Sequence, residues 1–266
     1  MTNLSKNVTI LTISMDTPNG KSRRDSLDYE FKWIQGSTYE SAPDYLKDNW
    51  LIRWNQQITE RVKGFVGCFA SHIKCLEHIV ELQLDDTIVV EDDAHIDWKY
   101  MNDMDFNEFP QDSPCLLGAT LRCCAPWSND KQFQLGQNIQ DINQFELGVN
   151  KIDYVKHRWT QTHAIFYPNW MVAQGILDFI HNHEGKFKSP DLFFSDHQLV
   201  KYLHFPSLFD HNDMINSHRE PLESSNSVIT PNGQGIIKNY RMLGKDKETI
   251  KKYTTPFKSK IAITFS

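Results

Sequence analysis

Apolar residues in this chain fall into short β-branched runs separated by longer stretches with helical spacing. Residues 8–13 (Val-Thr-Ile-Leu-Thr-Ile) and 87–90 (Thr-Ile-Val-Val) are runs of the kind that form buried strands. Between them, from Phe65 to Leu84, apolar side chains recur every three or four residues, which predicts an amphipathic helix. A helix followed at once by a buried strand is typical of an α/β sheet.

The remainder of the chain continues this order as far as a polar C-terminal segment. Short apolar runs predict strands at 115–118 and 162–167, and a helix is predicted from Trp170 to His181. We therefore predict one α/β domain over residues 1–223, with a mixed, mostly parallel sheet flanked by helices. Residues 224–266 begin with turn-forming residues and are rich in lysine, so we expect a lid or a basic tail there.

Three consecutive acidic residues, Glu91-Asp92-Asp93, follow directly after the second apolar run. In open α/β sheets, ligands bind just beyond the carboxyl ends of such strands. Three neighbouring carboxylates repel one another, and a divalent cation with oxygen ligands would relieve this repulsion. A phosphate-bearing substrate would suit such a metal site. For the triplet taken alone, a solvated turn or the first turn of a helix is the alternative.

Composition narrows the class of protein. The net charge is −6, and no basic segment with interspersed aromatic residues indicates nucleic-acid binding. No apolar stretch approaches the roughly 20 residues of a transmembrane helix, and the polar start Met1–Lys6 shows no signal peptide, so we expect a cytoplasmic protein.

The five cysteines do not form a disulfide pattern. Cys68, His72 and Cys75 share helical spacing, but no fourth ligand is apparent, and we assign no zinc site to them.

One segment of the sequence resembles a known family. Gly67-Cys68, followed by Ser71-His72 and then, about 20 residues later, by an apolar strand ending in Glu-Asp-Asp, resembles the core signature of glycosyltransferase family 25. That family includes lipooligosaccharide and collagen-type galactosyltransferases. Weaker similarities are the Arg23-Arg24 pair after the first strand, the strand at 162–167, and the segment that begins at Asp196.

The resemblance implies a GT-A type nucleotide-diphospho-sugar transferase fold. It further implies an inverting enzyme that uses Mn²⁺ or Mg²⁺ to transfer a sugar, by default galactose, from a UDP-sugar to a hydroxyl of a glycan or glycoconjugate acceptor. A sugar-phosphate nucleotidyltransferase is one alternative, although the Gly-rich phosphate loop expected of it is not found. A catalytically inactive domain that binds sugar or metal is the other.

Site residues follow from the same resemblance. The expected metal ligands are Asp93, Glu91 and, late in the chain, His211. The expected nucleotide and donor contacts, including supporting residues, are Thr12, Ser14, Arg23, Arg24, Ser71, His72, Glu91 and Asp92. Asp196 is the expected general base, with Asp191 as the competing choice. The structural alternatives are an exposed loop for the arginines, a core role for Ser71 and His72, and a helix N-cap for Asp196.

Overall fold

The computed structural model describes residues 8–51, 58–96, 101, 104–124, 135–137, 146–154, 157–205 and 208–211. Five α-helices lie in this part of the chain: α1 Pro18–Ser26, α2 Asp44–Asp48, α3 Glu60–Glu81, α4 Trp170–His181 and α5 Pro190–Asp196. The strands described are β1 Thr9–Ser14, β2 Lys32–Gln35, β3 Thr87–Glu91, β4 Ala94–Ile96, β5 Cys115–Cys124, β6 Leu135–Gln137, β7 Gly148–Lys151, β8 His157–Tyr167, β9 Tyr202–Phe205 and β10 Phe209–His211. None of the described helices combines the length and apolar character needed to span a membrane.

The main sheet has the strand order β2-β1-β3-β8-β5-β9-β7, and β6 pairs with β5 at one side. The predicted mixed α/β fold is confirmed. Parallel pairing is confined to β2-β1-β3 and to β5 with β9, whereas β8 runs antiparallel to both of its neighbours. Parallel neighbouring strands need a crossover connection. Helix α1 lies in the connection from β1 to β2, and α3 lies in the connection from β2 to β3. The second half of the sheet is therefore less parallel than the sequence suggests.

Side chains of the central strands alternate between two hydrophobic cores. In β3, Val89 joins one core, whereas Ile88 and Val90 join the other. Helices α3, α4 and α5 bury their apolar faces against the first core, and the β4–β10 ribbon covers the second. Because Glu91 follows Val89 by two residues, its side chain lies on the sheet face that α3 covers.

Helix α3 packs closely against the loop that follows β2. Thr59 caps its N-terminus by accepting a hydrogen bond from the amide of Val62. A Cβ atom at Gly67 would lie 2.5 Å from the carbonyl oxygen of Ser37, so this close approach requires glycine. One turn later, Ser71 Oγ accepts a hydrogen bond from the Ser37 amide at 2.8 Å and donates one to the Gly67 carbonyl at 2.7 Å. These contacts fix the position of α3 relative to the sheet.

Candidate active site

The carboxylate of Glu91, the last residue of β3, lies at the centre of a polar cluster. Its Oε1 accepts a hydrogen bond from Thr162 Oγ1 at 2.7 Å and lies 3.3 Å from His72 Nε2. Its Oε2 lies 3.6 Å from His163 Nδ1. The side chain of Glu91 is 24% exposed, whereas that of His72 is 1% exposed and that of His163 is 5% exposed. Two imidazoles and one hydroxyl therefore surround a carboxylate that solvent still reaches.

Asp93 joins this cluster from the turn that follows β3. Its Oδ1 lies 3.8 Å from His163 Nδ1. Glu91, Asp93 and His163 each offer one ligand atom, and these three atoms lie within 4.8 Å of one another. Two of the expected metal ligands, Glu91 and Asp93, are thus brought together.

His163 belongs to this candidate cluster, although the sequence did not lead us to assign it. Val90 pairs with Ala164 across the antiparallel β3–β8 pair, so His163 lies beside Glu91 in the same register. The available signal was the polar pair Thr162-His163 at the start of an otherwise apolar run. Both polar residues of that pair contact Glu91.

The surroundings of Glu91 favour its charged form. Burial raises the pKa of this carboxyl, but its interactions with the imidazoles of His163 and His72 outweigh burial and hold the pKa well below its ordinary value. Glu91 is therefore an anion at neutral pH, which suits a residue that attracts a cation.

Asp92 is turned away from this cluster and is held by the end of β1 and by α1. Its Oδ1 accepts a hydrogen bond from Arg23 Nη1 at 2.9 Å, and its Oδ2 accepts one from Ser14 Oγ at 2.6 Å. Burial raises the pKa of Asp92, although Ser14 and Arg23 act in the opposite direction. The side chains of Arg23 and Asp92 are only 5% and 8% exposed. Arg23 therefore forms a buried ion pair. The alternative of an exposed loop for the two arginines is wrong, because α1 begins at Pro18 and contains both of them.

Arg24, unlike Arg23, is partly exposed and lies at the end of β1. Its Nη1 donates hydrogen bonds to Ser14 Oγ at 2.8 Å and to the Met15 carbonyl at 2.9 Å. Its guanidinium carbon lies 4.0 Å from the centroid of the Trp33 ring, and Trp33 is 40% exposed. Arg24 and Trp33 together form a cationic and aromatic surface at this end of the strand.

Two expected donor-site residues lie inside the fold. Thr12 was expected at the end of the first strand, but it is fully buried within β1, paired with Trp33 on one side and Val90 on the other. The strand continues to Ser14, because β2 pairs with it as far as that residue. Ser71 is 2% exposed, and the contacts described above use its hydroxyl to join α3 to the loop after β2.

Asp196 ends α5 and is held by a lysine. Lys188 Nζ lies 2.5 Å from Asp196 Oδ2. The alternative of a helix N-cap is wrong, because α5 begins after Ser189 and Asp196 is its last residue. The preceding residue, Ser195, accepts a hydrogen bond from the amide of Trp159 at 3.4 Å, which ties this end of α5 to β8. Asp191 lies in the first turn of the helix, where its carboxylate accepts from the Leu192 amide.

His211 is placed by its strand. The β4–β10 pair sets His211 opposite Ala94, the residue that follows Asp93. Its side chain lies outside what the structure describes, and so do residues 224–266, for which a lid or tail was expected. The roles of both stay predictions.

A comparison with known protein families decides the class of protein. The sequence model described as glycosyltransferase family 25 (LPS biosynthesis protein) matches residues 13–163, more than half of the 266-residue chain. The chain belongs to glycosyltransferase family 25. The matched range begins at the end of β1 and closes at His163, so it includes Glu91 and Asp93. A search of curated proteins finds no match.

The donor atoms in this glycosyltransferase fit a divalent cation. Two carboxylates and one imidazole are the ligand types that Mn²⁺ accepts readily, and Mg²⁺ accepts the carboxylates. Glu91 carries a charge at neutral pH, as its lowered pKa indicates. Thr162 and His72 hold Glu91 by hydrogen-bond contacts, as outer partners commonly hold metal-binding carboxylates.

Proposed function

We propose that this glycosyltransferase uses a divalent cation, Mn²⁺ or Mg²⁺, to transfer a sugar from a UDP-sugar to a hydroxyl of a glycan or glycoconjugate. The observation that carries the proposal is the Glu91–Asp93–His163 cluster at the carboxyl end of β3. The site lies where ligands bind in α/β sheets. Galactose is the default donor sugar because family 25 includes galactosyltransferases.

Asp93 and Glu91 would hold the cation, with His163 as a third ligand and His211 as a further candidate. A bound cation supplies positive charge that stabilises the diphosphate as it leaves the sugar. The lowered pKa of Glu91 keeps this side chain ready to bind without first losing a proton.

The nucleotide would lie at the neighbouring end of β1. β1 and β3 are parallel neighbours, so Ser14 and Glu91 end at the same edge of the sheet. Arg24 offers a guanidinium to a phosphate or to the face of a base, and Trp33 supplies an exposed aromatic ring beside it. Arg23 and Asp92 support this surface from within, because their buried ion pair anchors α1 to the β3 turn.

Asp196 is the proposed general base, which would accept the proton of the acceptor hydroxyl as it attacks the sugar with inversion. Its contact with Lys188 fixes the orientation of the carboxylate at the end of α5. Replacing Asp196 by Asn should lower the transfer rate about 10²–10⁴-fold, the usual contribution of a general base, and leave UDP binding unchanged.

The matched control is Asp191→Asn in the same helix. Initial rates of transfer for the two variants distinguish them, and UDP affinity measured by calorimetry shows whether the donor site is intact. A large loss in Asp191→Asn, with normal activity in Asp196→Asn, would transfer the role to Asp191.

The direct test of the function is UDP release from a panel of UDP-sugars. The purified protein should hydrolyse one UDP-sugar slowly without acceptor, in the presence of Mn²⁺ or Mg²⁺ and not after chelation of the cation. The sugar that supports release identifies the donor. Release of UDP from none of the panel under any metal condition, with the protein folded, would contradict the UDP-sugar proposal.

A further inference from the structure

A second group of metal-binding side chains adjoins the first and includes a thiol. Cys68 and His72 are four residues apart on α3, so they lie on the same helical face, and both reach Glu91. Cys68 Sγ lies 3.7 Å from Glu91 Oε1, and His72 Nε2 lies 3.3 Å from the same oxygen. The ligand atoms of these three residues lie within 4.8 Å of one another, and Cys68 is not part of a disulfide.

These separations match those of ligands around a tetrahedral zinc ion. Bond lengths of about 2.3 Å to sulfur, 2.1 Å to oxygen and 2.05 Å to nitrogen, at tetrahedral angles, place sulfur about 3.6 Å and nitrogen about 3.4 Å from the oxygen. The observed distances are 3.7 Å and 3.3 Å. Two of the three ligand separations therefore match those around a tetrahedral zinc ion, and the sulfur–nitrogen separation is below 4.8 Å.

In the sequence, Cys75 shares the helical spacing of Cys68 and His72, but in the structure the third side chain of the cluster is Glu91. Cys75 is fully buried in the apolar core beneath α3, and burial raises the pKa of its thiol far above the ordinary value. Cys68 is partly exposed and lies on the face of α3 that meets β3. The third ligand thus comes from a strand and not from the helix.

We propose that Cys68, His72 and Glu91 form a binding site for Zn²⁺, separate from Asp93 and His163 but sharing the Glu91 carboxylate. Oε1 of Glu91 is directed at Cys68 and His72, whereas Oε2 is directed at His163. A thiolate with an imidazole selects zinc, whereas the Asp93 side offers the oxygen ligands preferred by magnesium or manganese. On binding, the Cys68 thiol releases its proton to solvent and its sulfur donates an electron pair to the ion.

The hydrogen bond from Thr162 to Glu91 Oε1 supports this zinc site. It holds at 2.7 Å the oxygen that the ion would bind, as outer partners commonly do for metal ligands. Three protein ligands leave the fourth position to water. Occupation by zinc draws the charge of Glu91 away from Asp93 and His163, so we expect excess Zn²⁺ to weaken Mn²⁺ binding there.

Cobalt substitution tests the proposal without any measurement of transfer. Co²⁺ added to the full-length protein should produce the ultraviolet thiolate-to-cobalt charge-transfer band, which saturates at one ion per chain and disappears when Zn²⁺ is added. Cys68→Ser should remove the band and raise the Kd for Zn²⁺ by more than about 100-fold, beyond the effect of losing an outer partner. The double variant Cys123→Ser/Cys124→Ser should retain both the band and the affinity.

Absence of the band in the wild-type protein would overturn the proposal. So would a band that persists in Cys68→Ser, because the thiolate would then belong to another cysteine, or a band lost in the double variant. Mn²⁺-dependent UDP binding, measured in Cys68→Ser, keeps this test separate from the proposed function, since that variant should bind UDP as the wild type does. Failure of the zinc proposal therefore does not contradict the proposed transferase function. Failure of Mn²⁺-dependent UDP binding likewise does not contradict the zinc site.

Discussion

Glu91 and Asp92 are adjacent in sequence but have opposite surroundings. Asp92 is closed in by Arg23 and Ser14, both of which donate hydrogen bonds to it, and its side chain is 8% exposed. Glu91 is more exposed and faces two imidazoles and a hydroxyl. The two side chains have different surroundings because successive residues of a strand point to opposite faces of the sheet.

The comparison separates a carboxylate that holds the fold from the two that we propose to bind the cation. Asp92 joins α1 to the turn after β3, and its charge is compensated by Arg23 within the protein. Glu91 and Asp93 are directed at His163 and contribute negative charge to a shared space that solvent reaches. The predictions below test this division, from the largest expected effect to the smallest.

Replacing Asp93 by Ala should cause the largest loss of activity. This change removes one of the proposed metal ligands, and the cation contributes several kcal/mol to transition-state stabilisation, so transfer should fall at least about 10³-fold. UDP release measures the effect, and circular dichroism and thermal melting show whether the fold is retained. Asp112→Ala, at an aspartate whose side chain is 62% exposed, is the control and should be fully active. Full activity of the Asp93 variant would remove this residue from the site.

Replacing Asp92 by Ala should act on stability. The buried Arg23 guanidinium would lose its ion pair with Asp92, and the free energy of unfolding should fall by about 3–5 kcal/mol. The additional change Arg23→Met should recover at least about 1 kcal/mol, because the buried positive charge is then absent. Urea unfolding measures both variants. A wild-type unfolding midpoint for the Asp92 variant, together with abolished transfer, would instead place Asp92 among the ligands.

Replacing His163 by Gln should weaken metal binding with little effect on stability. The imidazole is one of three proposed donors, so the Kd for Mn²⁺ in the presence of UDP should rise about 10–100-fold. Electron paramagnetic resonance of unbound Mn²⁺ gives this Kd. His181→Gln, at an exposed histidine at the end of α4, should have no effect. An unchanged Kd for Mn²⁺ in the His163 variant would show that His163 is not a ligand and that only the carboxylates bind the cation.

Replacing Arg24 by Met should have the smallest of these effects. The side chain offers one charged group to the nucleotide, so the Kd for UDP should rise about tenfold while Mn²⁺ binding is retained. Calorimetry measures both affinities. Arg61→Met is a matched control, since Arg61 is also an arginine over an aromatic ring, with 5.5 Å between its guanidinium carbon and the Phe65 ring centroid. Equal UDP affinity in both variants would place the nucleotide elsewhere.

The parts of the fold set by local patterns were predictable from the sequence. The helical spacing of residues 65–84 and the β-branched run at 87–90 correspond to α3 and β3. Trp170 to His181 is a helix as predicted, with Asn169 as its N-cap. Hydrophobic periodicity is a local property of the sequence, because each helix or strand needs an apolar face to bury against the core.

Contacts between residues far apart in the chain were not predictable in this way. Arg23 meets Asp92 across 69 positions, and Thr162 meets Glu91 across 71. Both depend on strand order and register, which a single sequence does not specify. The sequence therefore predicts Glu91 and Asp93 as metal ligands, whereas the burial of Asp92 against Arg23 and the position of His163 beside Glu91 depend on these distant contacts.

Calorimetry of UDP binding with and without Mn²⁺ tests the central claim most directly. If Glu91, Asp93 and His163 hold a cation for the diphosphate, the protein should bind UDP at least about 10²-fold more tightly with Mn²⁺ than after chelation with EDTA. The same UDP affinity in both conditions, or no UDP binding in either, would contradict a metal-dependent nucleotide site at the end of β3.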